Sequence, residues 1–214
     1  MTESPPATRR PYHKGNVAED LKTVALRILE NERIEDLSVR RVTREVGVTA
    51  ANFYNHYPSL NDLLLDIGAD AMDEQARLTA HIRRTTRSRA EAVRRIGRAF
   101  VEFAIDRRQL FRIMFGHIPD ALDNPRFRES SDAAFGQLAE LVYGRPVLDA
   151  TDWAASREKY QAAYGVFAMT YGLARVLVER QVPFSRDQRE QMLRFFESVL
   201  ETYLRGELVE LLAE

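Results

Sequence analysis

Apolar residues recur along nearly the whole chain at steps of three and four, with no sustained alternation of period two. That pattern predicts an all-α protein of about nine helices. Val17, Leu21, Val24, Ala25, Ile28 and Leu29 form one stripe of a first helix, and residues 31–37 read as its exit loop. Ser38 suits the N-cap of a short second helix with Val39, Val42 and Val46 inside, and Gly47 stands where a left-handed C-cap is wanted. Thr49 caps a third helix, with Phe53 and Tyr57 inward and Pro58 ending it. Ser59-x-x-Asp62 opens a longer fourth, with Leu63, Leu64, Ile67, Ala71 and Met72 inward.

Beyond residue 85 the predicted helices lengthen. Ser88-x-x-Glu91 precedes Ala92, Val93, Ile96, Ala99, Phe100, Phe103 and Ala104. A short helix follows around 109–115, then a loop with Gly116, Pro119 and Pro125, then a helix carrying Phe127, Ala134, Phe135, Leu138, Leu141 and Val142 that Gly144 and Pro146 break. The last two helices are predicted over 151–180 and 185–212. Residues 1–16 then form an N-terminal arm, 17–65 a small helical domain and 66–214 a larger one. The helix from Trp153 is apolar on two faces, and the last carries a wide stripe from Met192 through Leu193, Phe196, Val199, Leu200, Tyr203, Leu204 and Leu208 to Leu211. One small domain does not cover such faces, and pairing these helices from two copies into a four-helix bundle predicts a homodimer.

Composition narrows the class. Of 214 residues, 45% are hydrophobic and 29% charged, and no apolar run approaches the length of a membrane span, so no membrane association is expected. The polar, proline-punctuated start lacks the apolar core of a secretory signal, and the chain has no cysteine, so a cytoplasmic protein is expected. His13, His56, His81 and His117 are scattered, and HExxH, GxSxG, GxGxxG and the P-loop are absent. No catalytic set, metal site or cofactor is predicted. The net charge is only -1, but it is unevenly spread. Arg9, Arg10 and Lys14 make the arm basic, residues 16–37 are acidic, and Arg40, Arg41 and Arg44 against Glu45 make 38–57 basic again.

Ser38 to Tyr57, SVRRVTREVGVTAANFYNHY, reads as helix, glycine turn, helix. This is the spacing of a helix-turn-helix, whose second helix needs small or polar outward residues to enter a major groove. Ala50, Ala51, Asn52 and Asn55 meet that need, and Tyr54 is a poor surface choice without a partner. A plain helical hairpin within a bundle fits the same spacing. The segment 17–67 further resembles the DNA-binding domain of the tetracycline-repressor (TetR) family, whose signature runs SVRDIA, GVS, LYxHFxSKEEL. Here it reads SVRRVT over 38–43, GVT over 47–49 and FYNHYPSLNDL over 53–63.

The resemblance implies that Tyr54 and His56 hold DNA phosphates, that Ser38 and Thr49 add backbone contacts, and that Ala50, Ala51, Asn52 and Asn55 face bases. It implies a repressor on a palindromic double-stranded operator, released by a small, mostly apolar effector, and a dimer through the last two helices. Three positions depart from the pattern. Leu60 stands where the family has a phosphate-contacting Lys, Arg41 where an acidic residue is usual, and Thr43 where Ala is usual. Arg40, Arg41 and the arm are the residues that offset the lost anchor, though the arm reads equally as a solvated tail. Leu60 also leaves room for a TetR-like ligand-binding or interaction protein without specific DNA binding. Phe100, Phe103, Phe111, Met114, Phe115, His117, Trp153, Tyr164, Phe167 and Tyr171 are candidates for the effector pocket, and plain core is the competing role for the aromatic ones.

Overall fold

The computed structural model describes residues 16–116, 118–144, 160–179, 181, 184 and 188–205. Among them are nine α-helices and two short 3-10 turns, and no strand. The all-α expectation holds. The chain divides into two compact units, Met1–Leu63 and Leu64–Glu214.

The first unit contains α1 (Val17–Leu29), α2 (Val39–Val46) and α3 (Ala50–Tyr54), with a 3-10 turn at Ile34–Asp36. Helices of eight and five residues do not persist alone, because nucleation costs more than so few hydrogen bonds return. Packing and caps hold them. Leu21 and Ala25 of α1 meet Val42 of α2 and Phe53 of α3 in a fully buried core, closed by Ile34, Leu37 and Tyr57. Each large side chain so buried contributes roughly 1.5–3 kcal/mol. Thr43, in the place of the usual Ala, is buried too, and its hydroxyl donates to the Val39 carbonyl at 2.8 Å. The extra polar group is therefore satisfied within its own helix.

At the boundary begins α4 (Leu60–Thr85), capped by Ser59, whose Oγ accepts from the Asp62 amide at 3.2 Å and donates to its carboxylate at 2.7 Å. The second unit continues with α5 (Arg89–Asp106), α6 (Arg108–Met114), α7 (Pro125–Tyr143), α8 (Gln161–Val178) and α9 (Arg189–Tyr203). Helix α5 is central and packs against α6, α7, α8 and α9. Gly97 permits its approach to α9, since a Cβ there would lie 3.0 Å from Cζ of Phe196. Charged pairs lace the same two helices: Arg94 to Glu201, Arg98 to Glu197, and Arg189 to both oxygens of Asp106 at 2.7 and 2.8 Å.

The stripe on α9 is covered only in part, with Val199 and Tyr203 half-buried. Met192, Leu193, Phe196, Leu200 and Leu204 are all buried within their own unit, because α5 and α8 cover them. Leu208 and Leu211 lie outside the described residues. What stays exposed is narrower: Tyr164 and Ala168 on α8, and Phe195 on α9. No described helix is long and apolar enough to cross a membrane.

Candidate nucleic-acid interface and ligand cavity

In the first unit, local chemistry builds the α2-turn-α3 element residue by residue. Ser38 Oγ accepts from the Arg41 amide at 3.3 Å and starts α2. Gly47 ends it at φ 86°, a conformation that costs a residue with a Cβ about 1–2 kcal/mol. The Gly47 and Val48 amides both donate to the Thr43 carbonyl, at 2.9 and 3.0 Å, which closes the turn. Thr49 Oγ1 then accepts from the Asn52 amide at 3.1 Å and starts α3. Phe53 points inward with an edge-to-face contact to Tyr54, ring centres 5.4 Å apart, while Tyr54 itself remains 55% exposed.

Ser38, Arg40, Thr49, Ala50, Ala51, Tyr54, Asn55 and His56 are all exposed. Two predicted contact residues are placed differently. Asn52 is half-buried, and its Oδ1 is enclosed without a hydrogen-bond partner. Arg41 is held in a network of carboxylates: it donates to both oxygens of Glu32 at 2.6 and 2.8 Å and to Glu45 at 3.1 Å, and Arg27 joins Glu45 at 2.6 Å. These bonds raise the Arg41 pKa above its ordinary value, and the bond from Arg41 does most to hold the Glu45 carboxyl below its own. Arg40 and Arg44 are exposed and make no ion pair among the described residues. Arg44 was not among the predicted contacts, although its place one helical turn beyond Arg40 was there to read. Arg9, Arg10 and Lys14 lie outside the described residues.

The second unit holds a cavity of about 600 Å³ that is partly open to solvent. Of the predicted pocket residues, Phe100, Met114, Phe115 and Phe167 line it. Phe103, Phe111, Tyr164 and Tyr171 do not: Phe111 is buried core, Phe103 packs against that core, Tyr164 is exposed beside Phe135, and Tyr171 accepts from Arg175 at 2.8 Å. His117 and Trp153 are outside the described residues. Rings form much of the wall, with Phe115 5.6 Å from Phe100 and 6.1 Å from Phe167. Sequence reasoning missed the polar lining, Gln75 and Thr79 of α4, Ser131 of α7 and Thr170 of α8. The signal was present for α4, where Gln75 and Thr79 follow Met72 by three and seven positions on its inward face. Among the described residues no group of His, Asp or Glu is arranged to hold a metal.

The fold thus combines a capped helix-turn-helix unit with a helical unit that holds an apolar cavity. The sequence model described as the tetracycline repressor-like C-terminal domain matches residues 93–203, just over half of the chain. The chain belongs to the tetracycline-repressor family of transcriptional regulators. Solved structures agree in fold. A protein of unknown function from Rhodococcus sp. RHA1 is similar at TM-score 0.69 and 21% identity, over 94% of this chain and 100% of that one. The transcriptional regulator FadR from Bacillus subtilis, in complex with stearoyl-CoA, is similar at TM-score 0.64 and 13% identity, over 88% and 98%. RolR, in complex with resorcinol, is similar at TM-score 0.56 and 16% identity, over 91% and 90%. Among curated proteins, none matches the chain in sequence.

Proposed function

We propose that this regulator is a homodimeric repressor that holds a palindromic operator through α3 and is released when a small, mostly apolar ligand fills the cavity of the second unit. The observation that carries the reading is the outer face of α3, where an exposed Tyr54 stands beside Ala50, Ala51, Asn55 and His56 on a helix that packing and Thr49 hold rigid. Small side chains let the helix approach base edges, while Tyr54, His56, Ser38 and Thr49 offer hydrogen bonds to phosphate. Asn52 reads a base after turning its amide outward, a change that also relieves the unpaired Oδ1. Arg40 and Arg44 supply the exposed positive charge, and Arg41 orders α2 from behind.

The similar structures of FadR in complex with stearoyl-CoA and of RolR in complex with resorcinol support the ligand half of the reading. A cavity of about 600 Å³ is of the size that encloses a small organic molecule. Ligand favours a dimer state in which α4 carries the two reading heads out of register, so operator affinity falls, and by linkage DNA lowers ligand affinity by the same factor.

Selection of bound sites from random DNA tests the first half, with enrichment of a palindrome as the expected result. Featureless output instead supports a ligand-binding protein without specific DNA recognition, the reading that Leu60 in place of the family Lys favours. On the selected site, Tyr54→Ala is expected to weaken binding about tenfold at every salt concentration, with the salt slope unchanged because the phenol is neutral. Unchanged affinity across a salt series removes Tyr54 from the interface.

A further inference from the structure

The cavity wall carries more chemical information than its volume. Three helices each contribute a side chain with a buried polar atom that has no hydrogen-bond partner: Gln75 Oε1 on α4, Ser131 Oγ on α7 and Thr170 Oγ1 on α8. Gln75 is 8% exposed and Thr170 6%. An unpaired buried polar group opposes folding, so three around one apolar space call for a hydrogen-bonding partner within it. Thr79 shows the contrast, since its hydroxyl is spent on the Gln75 carbonyl at 2.9 Å.

Charge supplies the second constraint. Among the described lining residues there is no Lys or Arg, and the charged ones are Asp120 and Asp123, both exposed. A carboxylate or phosphate brought into this space is desolvated without a counter-charge. An ammonium held by the neutral amide and hydroxyl groups of Gln75, Ser131 and Thr170 is desolvated likewise, since Asp120 and Asp123 stand in solvent, where screening weakens their attraction.

Resting on the ligand-sensing reading above, we infer that the cavity selects an uncharged ligand with an apolar, aromatic-compatible body and a single neutral hydrogen-bonding head, an amide, alcohol or phenol, which Gln75, Ser131 and Thr170 receive. The phenylalanine rings take the body, and the three polar side chains hydrogen-bond to the head.

Calorimetric titration of the full chain at pH 7.5 with five compounds sharing one body tests this: 4-phenylbutanamide, 4-phenylbutan-1-ol, 4-phenylbutanoate, 4-phenylbutylamine and butylbenzene. The amide and alcohol are expected to bind at least about tenfold more tightly than the carboxylate and the amine. Gln75→Leu and Thr170→Val are each expected to weaken the amide by about three- to tenfold and to leave butylbenzene within about twofold. Gln75→Leu is also expected to raise the melting temperature of the free protein, because it removes an unpaired polar group, a rise that separates lost recognition from lost folding.

Equal binding of the carboxylate or the amine overturns the inference while leaving ligand sensing in place. Amide binding unaffected by both substitutions overturns the assignment to Gln75 and Thr170. If butylbenzene and all four headed compounds fail to bind, the sensing reading falls and takes the inference with it.

Discussion

Arg41 shows how a residue that looks like a DNA anchor in sequence acquires another task in three dimensions. Its guanidinium is held by Glu32 and Glu45, so its charge is largely neutralised where it stands, whereas Arg40 and Arg44 carry theirs into solvent. Counterion release counts only charges that reach phosphate. Arg40→Ala and Arg44→Ala are therefore each expected to reduce the slope of log affinity against log salt by about one. Arg41→Ala should leave that slope unchanged and lower the melting temperature of the first unit slightly, more at low salt than at high. Fluorescence anisotropy on a labelled operator at four salt concentrations measures the first effect, and thermal unfolding measures the second.

The same network has a pH signature. The folded-state pKa of Glu45 is lowered, chiefly by its hydrogen bond from Arg41, so the stability it contributes is present above its ordinary pKa and is lost as pH falls through the folded value. Wild-type protein should lose melting temperature on acidification below about pH 4.5 more steeply than Glu45→Gln. Parallel curves for the two proteins would remove Glu45 from the acid response. Both groups are solvent-screened, and the difference expected is correspondingly small.

At the scale of the element, the turn between α2 and α3 depends on one backbone conformation. A Cβ on Gly47 meets nothing within 4 Å, so what a side chain there costs is conformational and not steric crowding by neighbours. Gly47→Ala is expected to destabilise the first unit by about 1 kcal/mol, with Gly47→Asn falling between Ala and wild type, because Asn tolerates left-handed backbone. Chemical denaturation followed by circular dichroism reads the order, and a destabilisation by Asn equal to that by Ala contradicts it. This element was legible in the sequence because everything that shapes it is local: Ser38, Gly47 and Thr49 each act within four residues of themselves. The cavity was half legible for the complementary reason. Its aromatic wall follows from helical periodicity, but Gln75, Ser131 and Thr170 come from helices far apart in the chain, and only packing brings them around one space. How much of the α9 stripe stays inside the protomer was not legible on the same ground, since no local pattern says that α5 and α8 cover Met192, Leu193, Phe196, Leu200 and Leu204.

For the whole molecule, the proposed homodimer is what would let a helix of five residues specify a DNA site. One α3 offers a handful of base contacts, and a lone head gains little discrimination from them. Two heads fixed by one two-fold axis make the second contact intramolecular, which raises affinity by about 10²–10⁴ without any new interaction. With Met192, Leu193, Phe196, Leu200 and Leu204 buried inside the protomer and Val199 and Tyr203 half-buried, the exposed apolar positions on the described parts of the last two helices are Tyr164 and Ala168 on α8 and Phe195 on α9. These three side chains are not in the buried core, so charged replacements there leave one protomer intact while penalising a symmetric contact, in which each substitution is met by its own copy. Ala168→Glu combined with Phe195→Glu is expected to give a folded monomer by light scattering, with a circular dichroism spectrum and first-unit stability like those of wild type. Its affinity for a full palindrome should fall at least about 100-fold, to that of wild type for a single half-site. If the double variant remains a dimer, the interface lies elsewhere on the second unit. If it becomes a monomer and still holds the palindrome at wild-type affinity, a single head suffices and avidity plays no part in recognition.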